Sequence, residues 1–78
     1  MKEKKNLKDE IKETRISKGL VQKDMAKKVG VSLLSVCLWE RGKCIPGIRN
    51  LVKISEVLDY PYSDLLVLWR KEKNRKND

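Results

Sequence analysis

A glycine at position 30 separates two short segments with helical periodicity, and this joint constrains the fold more than any other feature of the sequence. The segments Gln22–Val29 and Leu33–Arg41 each carry apolar residues at helical spacing. Gly30 can adopt a left-handed backbone at low cost, and Ser32 is a favourable N-cap for the second segment. Two short helices joined in this way predict a helix-turn-helix, although an ordinary helical hairpin has the same pattern.

Three further segments predict helices and complete an all-α fold of five helices. They cover residues 6–18, 47–58 and 62–70, where apolar side chains recur at spacings of three and four. No segment of the sequence predicts a strand. In the fourth helix we expect the buried face to consist of Ile48, Leu51, Ile54, Val57 and Leu58.

The polar, charged ends of the chain set the predicted boundaries of the domain. We expect residues 1–6 to form a charged N-terminal arm and residues 7–70 to form the helix-turn-helix domain. Residues 71–78 contain few apolar side chains, so we expect a basic, disordered tail there.

The charge of the chain is compatible with nucleic-acid binding but does not establish it. A formal net charge of +8 is typical of proteins that bind a polyanion. However, residues 70–78 carry +3 and residues 1–6 carry +2 of that total. Basic ends that only keep the chain in solution would explain this part of the excess.

The residue types present argue against an enzyme and against a metal or cofactor site. Without histidine, the chain has no Ser-His or Cys-His catalytic pair, and it has no glycine-rich phosphate loop. Cys37 and Cys44 alone cannot complete the four ligands of a structural zinc site. We therefore expect a non-enzymatic protein with no cofactor and no metal.

The sequence also predicts where in the cell the protein is found. No apolar run approaches the roughly 20 residues that span a bilayer, and residues 1–6 lack the apolar segment of a secretory signal. We expect a cytoplasmic protein with no membrane partner. Its two cysteines should then be free and reduced.

A longer set of residues resembles one known family. From Ile11 to Leu66 the chain resembles the Cro/C1-type (lambda-repressor-like, XRE) helix-turn-helix family, and the stretch Trp39-Glu40-Arg41-Gly42-Lys43 is the most specific part. The resemblance implies a five-helix lambda-repressor-like domain with a helix-turn-helix formed by helices 2 and 3. It also implies a DNA-binding transcriptional regulator, a repressor of phage or mobile-element type. The other matching residues are Gly19-Leu20, Gln22, Met25-Ala26, Val29-Gly30-Val31-Ser32, Val36, Pro46, Leu51, Leu58 and Leu65-Leu66.

The resemblance assigns two kinds of supporting role. Arg15 and Glu40 resemble the pair that ties helix 1 to the end of the recognition helix, and such a pair is strong when both groups are buried together. Contacts to backbone phosphates, for which basic side chains and helix starts are suited, are expected from Gln22, Lys23, Ser35, Arg41, Lys43, Arg49 and Asn50.

The recognition helix departs from the family because leucines stand where hydrogen-bonding side chains are usual. The expected base-facing residues are Ser32, Leu33, Leu34, Cys37 and Leu38. Leucine can only make apolar contacts, and the thymine methyl is the main apolar target in the major groove. Three interpretations stay open: thymine-methyl and shape readout, a surface converted to bind a protein, or a rotated helix with the leucines in the core.

Helix 5 carries more apolar side chains than a small chain can easily cover. One interpretation is that all of them pack on helices 1 and 4. The other is a two-fold homodimer that places two recognition helices about 34–36 Å apart. The expected dimer interface consists of Tyr60, Tyr62, Leu66 and Trp69.

Overall fold

A computed structural model describes residues 5–76 of the chain, with side chains for residues 5–74. Residues 5–76 contain five α-helices and no strand, as the sequence predicts. Within that range no helix is both long and apolar enough to cross a membrane. Residues 1–4 of the predicted arm and residues 77–78 of the predicted tail lie outside the described residues. The helices are α1 (Leu7–Ser17), α2 (Gln22–Val29), α3 (Leu33–Arg41), α4 (Ile48–Leu58) and α5 (Tyr62–Lys76).

Capping residues explain why α1 and α4 begin one residue later than predicted. Asn6 has an extended backbone, and its side-chain oxygen accepts a hydrogen bond of 3.1 Å from the amide of Asp9. It is therefore the N-cap of α1 and not its first residue. Gly47 plays the same backbone role for α4 but has no side chain to bond the free amides.

The prediction of a disordered tail is wrong for residues 71–76, which continue α5 to Lys76. This stretch contains neither glycine nor proline, and lysine, arginine and glutamate have good helix propensity. Trp69 and Lys73 add a contact four residues apart, with the Lys73 ammonium 4.8 Å from the indole centroid. The low hydrophobicity of residues 71–76 indicates that this segment is not buried. It does not exclude an exposed continuation of α5, whose earlier turns pack on the core.

The turn between α2 and α3 has the backbone that its sequence predicts. Gly30 adopts a φ of 90°, in the left-handed region, and donates a hydrogen bond of 2.8 Å to the Ala26 carbonyl. Val31 donates a second bond to the same carbonyl at 2.9 Å. The chain then reaches Ser32, whose hydroxyl accepts from the amide of Ser35 at 3.2 Å and caps α3. These bonds fix the direction in which α3 leaves α2.

One core holds the helices together and orients α3. Val36 and Trp39 are the apolar side chains that α3 buries, so its opposite side is left at the surface. Ile48 was predicted to lie in the core but is 45% exposed, because it occupies the first turn of α4 beyond the packed region. The buried apolar residues are Leu7, Ile11, Met25, Ala26, Val29, Val36, Trp39, Leu51, Ile54, Leu58, Leu65 and Leu68.

Candidate nucleic-acid interface

The start of α3 presents apolar side chains to solvent. Leu33 is 46% exposed and Leu34 is 64% exposed, and Ser32 beside them is also exposed. The interpretation in which α3 rotates these leucines into the core is therefore wrong for Leu33 and Leu34. Thymine-methyl readout and protein binding both remain compatible with this surface.

The other two candidate base-facing residues are less accessible. Leu38 is half-buried. The Cys37 thiol is also half-buried and donates a hydrogen bond to the side-chain oxygen of Gln22 on α2, with an Sγ to Oε1 distance of 3.3 Å. The exposed end of α3 therefore consists mainly of Ser32, Leu33 and Leu34, while Cys37 faces the neighbouring helix.

A buried ion pair ties α1 to the end of α3. Arg15 donates through Nε to Glu40 Oε2 at 2.7 Å and through Nη2 to Glu40 Oε1 at 3.0 Å. The two side chains are only 10% and 3% exposed. Arg15 also donates through Nη1 to the carbonyl of Leu20, at 2.7 Å, in the turn that leads to α2. This bidentate geometry fixes the orientation of both side chains and keeps their opposite charges in contact.

Gln22 extends this ion pair into a network that joins α1, α2 and α3. Its side-chain nitrogen donates to Glu40 Oε1 at 3.0 Å, while its side-chain oxygen accepts from Cys37. Gln22 therefore braces the two helices of the helix-turn-helix with its whole amide group. A phosphate at this helix start could be met by backbone N–H groups and by the second hydrogen of the Gln22 side-chain NH2, since only one of its two hydrogens is bonded to Glu40.

Exposed basic side chains lie on both helices of the helix-turn-helix and on the segments that follow α3. Lys23, Arg41, Lys43 and Arg49 are all exposed, and none of them takes part in an ion pair within the described residues. The three neutral phosphate candidates, Gln22, Ser35 and Asn50, are half-buried. The Ser35 hydroxyl lies 3.1 Å from that of Ser32, which keeps it at the α3 N-terminus. The four basic groups are thus free to meet an anion.

Two of the four predicted dimer residues form side-chain hydrogen bonds within the chain. The Tyr60 hydroxyl donates to Glu10 of α1 at 3.1 Å, and the Trp69 indole donates to the carbonyl of Pro46 at 2.7 Å. Leu66 is half-buried against the core. Tyr62 is 36% exposed and lies four residues before Leu66 on the same face of α5. Most of the apolar residues of α5 are therefore used within the chain. Tyr62 and the half-buried Leu66 form one apolar edge of α5, and Val67, which is 52% exposed, is a further apolar side chain at its surface.

Tyr60 gives the structure an expected sensitivity to alkaline pH. Partial burial, followed by the bond to the Glu10 carboxylate, raises the pKa of Tyr60 to about 12 from its usual 10.0. Because the unfolded chain loses this proton at lower pH than the folded one, stability should fall as pH rises from about 10 towards 12. Urea unfolding at pH 9 and pH 11 measures this loss. Tyr60→Phe should show a smaller loss, and an equal loss in both proteins would contradict the assignment.

The joint at Gly30, the braced pair of helices and the solvent-facing end of α3 together define a helix-turn-helix domain. Residues 11–65 match the helix-turn-helix family model, and the chain belongs to that family.

Relatives of this chain occur in bacteria and archaea. It is 34% identical over 55 residues to the cryptic phage CTXphi transcriptional repressor RstR of Vibrio cholerae, a match that covers 70% of this chain and 49% of the repressor. The chain thus spans about half the length of that relative. It is 36% identical to an HTH-type transcriptional regulator of Archaeoglobus fulgidus, covering 78% of this chain and 94% of the relative. A third relative, an HTH-type transcriptional regulator of Methanocaldococcus jannaschii, is 31% identical, with coverages of 78% and 92%. No solved structure matches the chain.

Two contacts at this surface have no signal in the sequence. The bond from Cys37 to Gln22 joins residues 15 positions apart, and the bond from Trp69 to Pro46 joins residues 23 positions apart. Local spacing carries information about neighbours on one helix, but it does not indicate which side chains meet across the fold.

Proposed function

We propose that this chain is a DNA-binding transcriptional regulator that represses transcription by binding double-stranded DNA as a dimer, with α3 in the major groove. The observation that supports this most is the exposed start of α3, where Leu34 is 64% exposed, together with four exposed basic side chains that form no ion pair within the described residues. The similarity to a phage repressor favours repression over activation. Such a regulator would act in the cytoplasm and would catalyse no reaction.

The mechanism separates positioning from readout. Lys23, Arg41, Lys43 and Arg49 would bind backbone phosphates on either side of the groove and set the register of the protein on the duplex. Leu33 and Leu34 would then contact thymine methyl groups, and Ser32 would supply a polar contact to a base edge. Because leucines cannot read donors and acceptors, DNA shape would carry part of the sequence preference.

The proposed dimer would form through the apolar edge of α5. A two-fold axis near the Tyr62 and Leu66 edge of α5, with Tyr60 and Trp69 beside it, would pair two α3 helices on one side of the duplex. Sedimentation of the protein with and without DNA tests it. A mass of one chain at high concentration, together with binding of one chain per site, would rule the dimer out.

Replacement of readout residues and of a phosphate residue should give different signatures. Leu33→Ala and Leu34→Ala should each relax the motif selected from a random duplex library while leaving the salt dependence unchanged. Lys43→Gln should weaken binding to all sequences and lower the slope of log K against log salt by about 1.8, because the dimer loses one phosphate contact in each chain. The measurement is selection followed by titration at several salt concentrations.

An unchanged selected motif in both leucine variants would remove these side chains from the readout. A changed motif in Lys43→Gln would contradict its role as a phosphate contact. If the wild-type chain bound no duplex, the exposed leucines would instead support the second candidate, a protein-interaction module such as an antirepressor or a partner-binding regulator.

A further inference from the structure

A groove of about 420 Å³ lies between the loop that joins α3 to α4 and the C-terminal half of α5. The loop at residues 43–47 forms one wall, and Trp69 and Lys73 form the other. Among the described residues that line it, two are lysines and none is acidic. A surface of this kind attracts an anion.

The wall of this groove is fixed by a hydrogen bond between the two elements. The Trp69 indole donates to the carbonyl of Pro46 at 2.7 Å, and Pro46 is buried. The loop that carries Lys43 is therefore attached to α5 through Pro46. On the next turn of α5, the Lys73 ammonium lies 4.8 Å from the centroid of the same indole ring. Trp69 thus contacts the loop that carries Lys43 through its N–H group, and it contacts Lys73 through its ring.

We propose that this groove is an additional contact to the DNA backbone, in which Lys43 and Lys73 bind phosphate and Trp69 positions them both. The inference rests on the proposed function and extends its interface to a part of α5 that lies beyond the family match, which ends at residue 65. Each lysine offers ammonium donors to phosphate oxygens.

Charge favours DNA over a second copy of the chain as the occupant. A symmetric partner would bring its own Lys43 and Lys73 towards the same groove, and like charges brought together oppose association. Of the four proposed dimer residues, Trp69 also lines the groove, while Tyr62 and Leu66 lie nearer the N-terminal end of α5 and do not line it.

The test uses two lysines on the same helix. Lys71 and Lys73 are both exposed, but they point about 200° apart around α5. Lys73→Gln should lower the slope of log K against log salt by about 1.8, because each chain of the dimer loses one contact. It should weaken binding about 60-fold at 0.1 M salt, if these contacts contribute little at 1 M. Lys71→Gln, the matched control, should leave the slope unchanged.

Trp69→Phe tests the positioning role, because it keeps an aromatic ring beneath Lys73 but removes the pyrrole ring with its N–H donor to Pro46. We expect the salt slope to fall for this variant too, with the selected sequence motif unchanged. A purely structural defect would reduce the fraction of active protein without changing the slope. Thermal unfolding of each variant measures how much folded protein is present at the binding temperature.

The outcomes separate this inference from the proposed function. If the wild type binds DNA and Lys73→Gln keeps the same slope as Lys71→Gln, the additional contact is wrong and the proposed function stands. If the wild type binds no duplex at any salt concentration, both are wrong. A slope lowered by Lys73→Gln and by Trp69→Phe, but not by Lys71→Gln, supports the contact.

Discussion

Glu40→Met is expected to destabilise the folded chain by about 3–5 kcal/mol, because it leaves the Arg15 guanidinium buried without its counter-charge. Arg15 retains only the Leu20 carbonyl as a partner, and Gln22 loses the acceptor of its side-chain amide. For a domain of this size, such a loss corresponds to a fall in Tm of about 12 °C or more. Urea unfolding followed by circular dichroism measures it directly.

A double-mutant cycle separates the pair from the packing around it. Arg15→Met alone should also be strongly destabilising, but the double variant should be less destabilised than the sum of the two, with an interaction free energy of about 2–3 kcal/mol. Lys18→Met is the control, since Lys18 lies 3.9 Å from Asp59 in an exposed pair. That change should cost less than about 1 kcal/mol. Additive effects of Arg15→Met and Glu40→Met would show that the network does not act as a unit.

Leu34→Glu is expected to abolish DNA binding without loss of stability. Leu34 is 64% exposed and lies in the first turn of α3, which contains no acidic residue. A carboxylate there interacts favourably with the helix dipole, so the free energy of unfolding should stay the same or rise by about 0.3–1 kcal/mol. The same carboxylate in a DNA groove faces the phosphate charge, and we expect affinity to fall by about 100-fold or more.

Ile16→Glu is the matched control for this prediction. Ile16 is 55% exposed and lies on α1, outside the helix-turn-helix pair. The replacement adds the same charge to the chain, so it reports the effect of net charge alone. Binding assays and thermal unfolding should show a much smaller loss of affinity for Ile16→Glu than for Leu34→Glu. Equal losses in the two variants would mean that α3 has no special part in the interface.

The α2–α3 unit was predictable because its determinants are local. A left-handed glycine at position 30, a serine cap at position 32 and apolar residues at helical spacing each act within a few residues of the chain. Both helices have the predicted bounds. The outward direction of Leu33 and Leu34 follows from the burial of Val36 and Trp39 on the other side of α3.

The remaining features depend on contacts between distant parts of the chain. Composition predicted a disordered tail, but Lys73 lies over Trp69 and α5 continues to Lys76. The apolar character of α5 is compatible with packing inside the chain and with a dimer interface, and it does not indicate that the polar atoms of Tyr60 and Trp69 find partners on α1 and in the α3–α4 loop. The spacing of apolar residues predicts which face of a helix is buried. It does not predict which group forms a hydrogen bond with a particular polar atom.

The most direct test of the proposed function is the affinity of the wild-type chain for a random duplex library between 50 and 200 mM salt. If the four exposed basic candidates of each chain in a dimer all contact phosphates, log K should fall against log salt with a slope of about −7. Fewer contacts give a proportionally smaller slope, and a subset of sequences should be enriched at the higher salt. Negligible binding to every duplex at 50 mM salt would contradict DNA binding and leave the leucines of α3 as a surface for a protein partner.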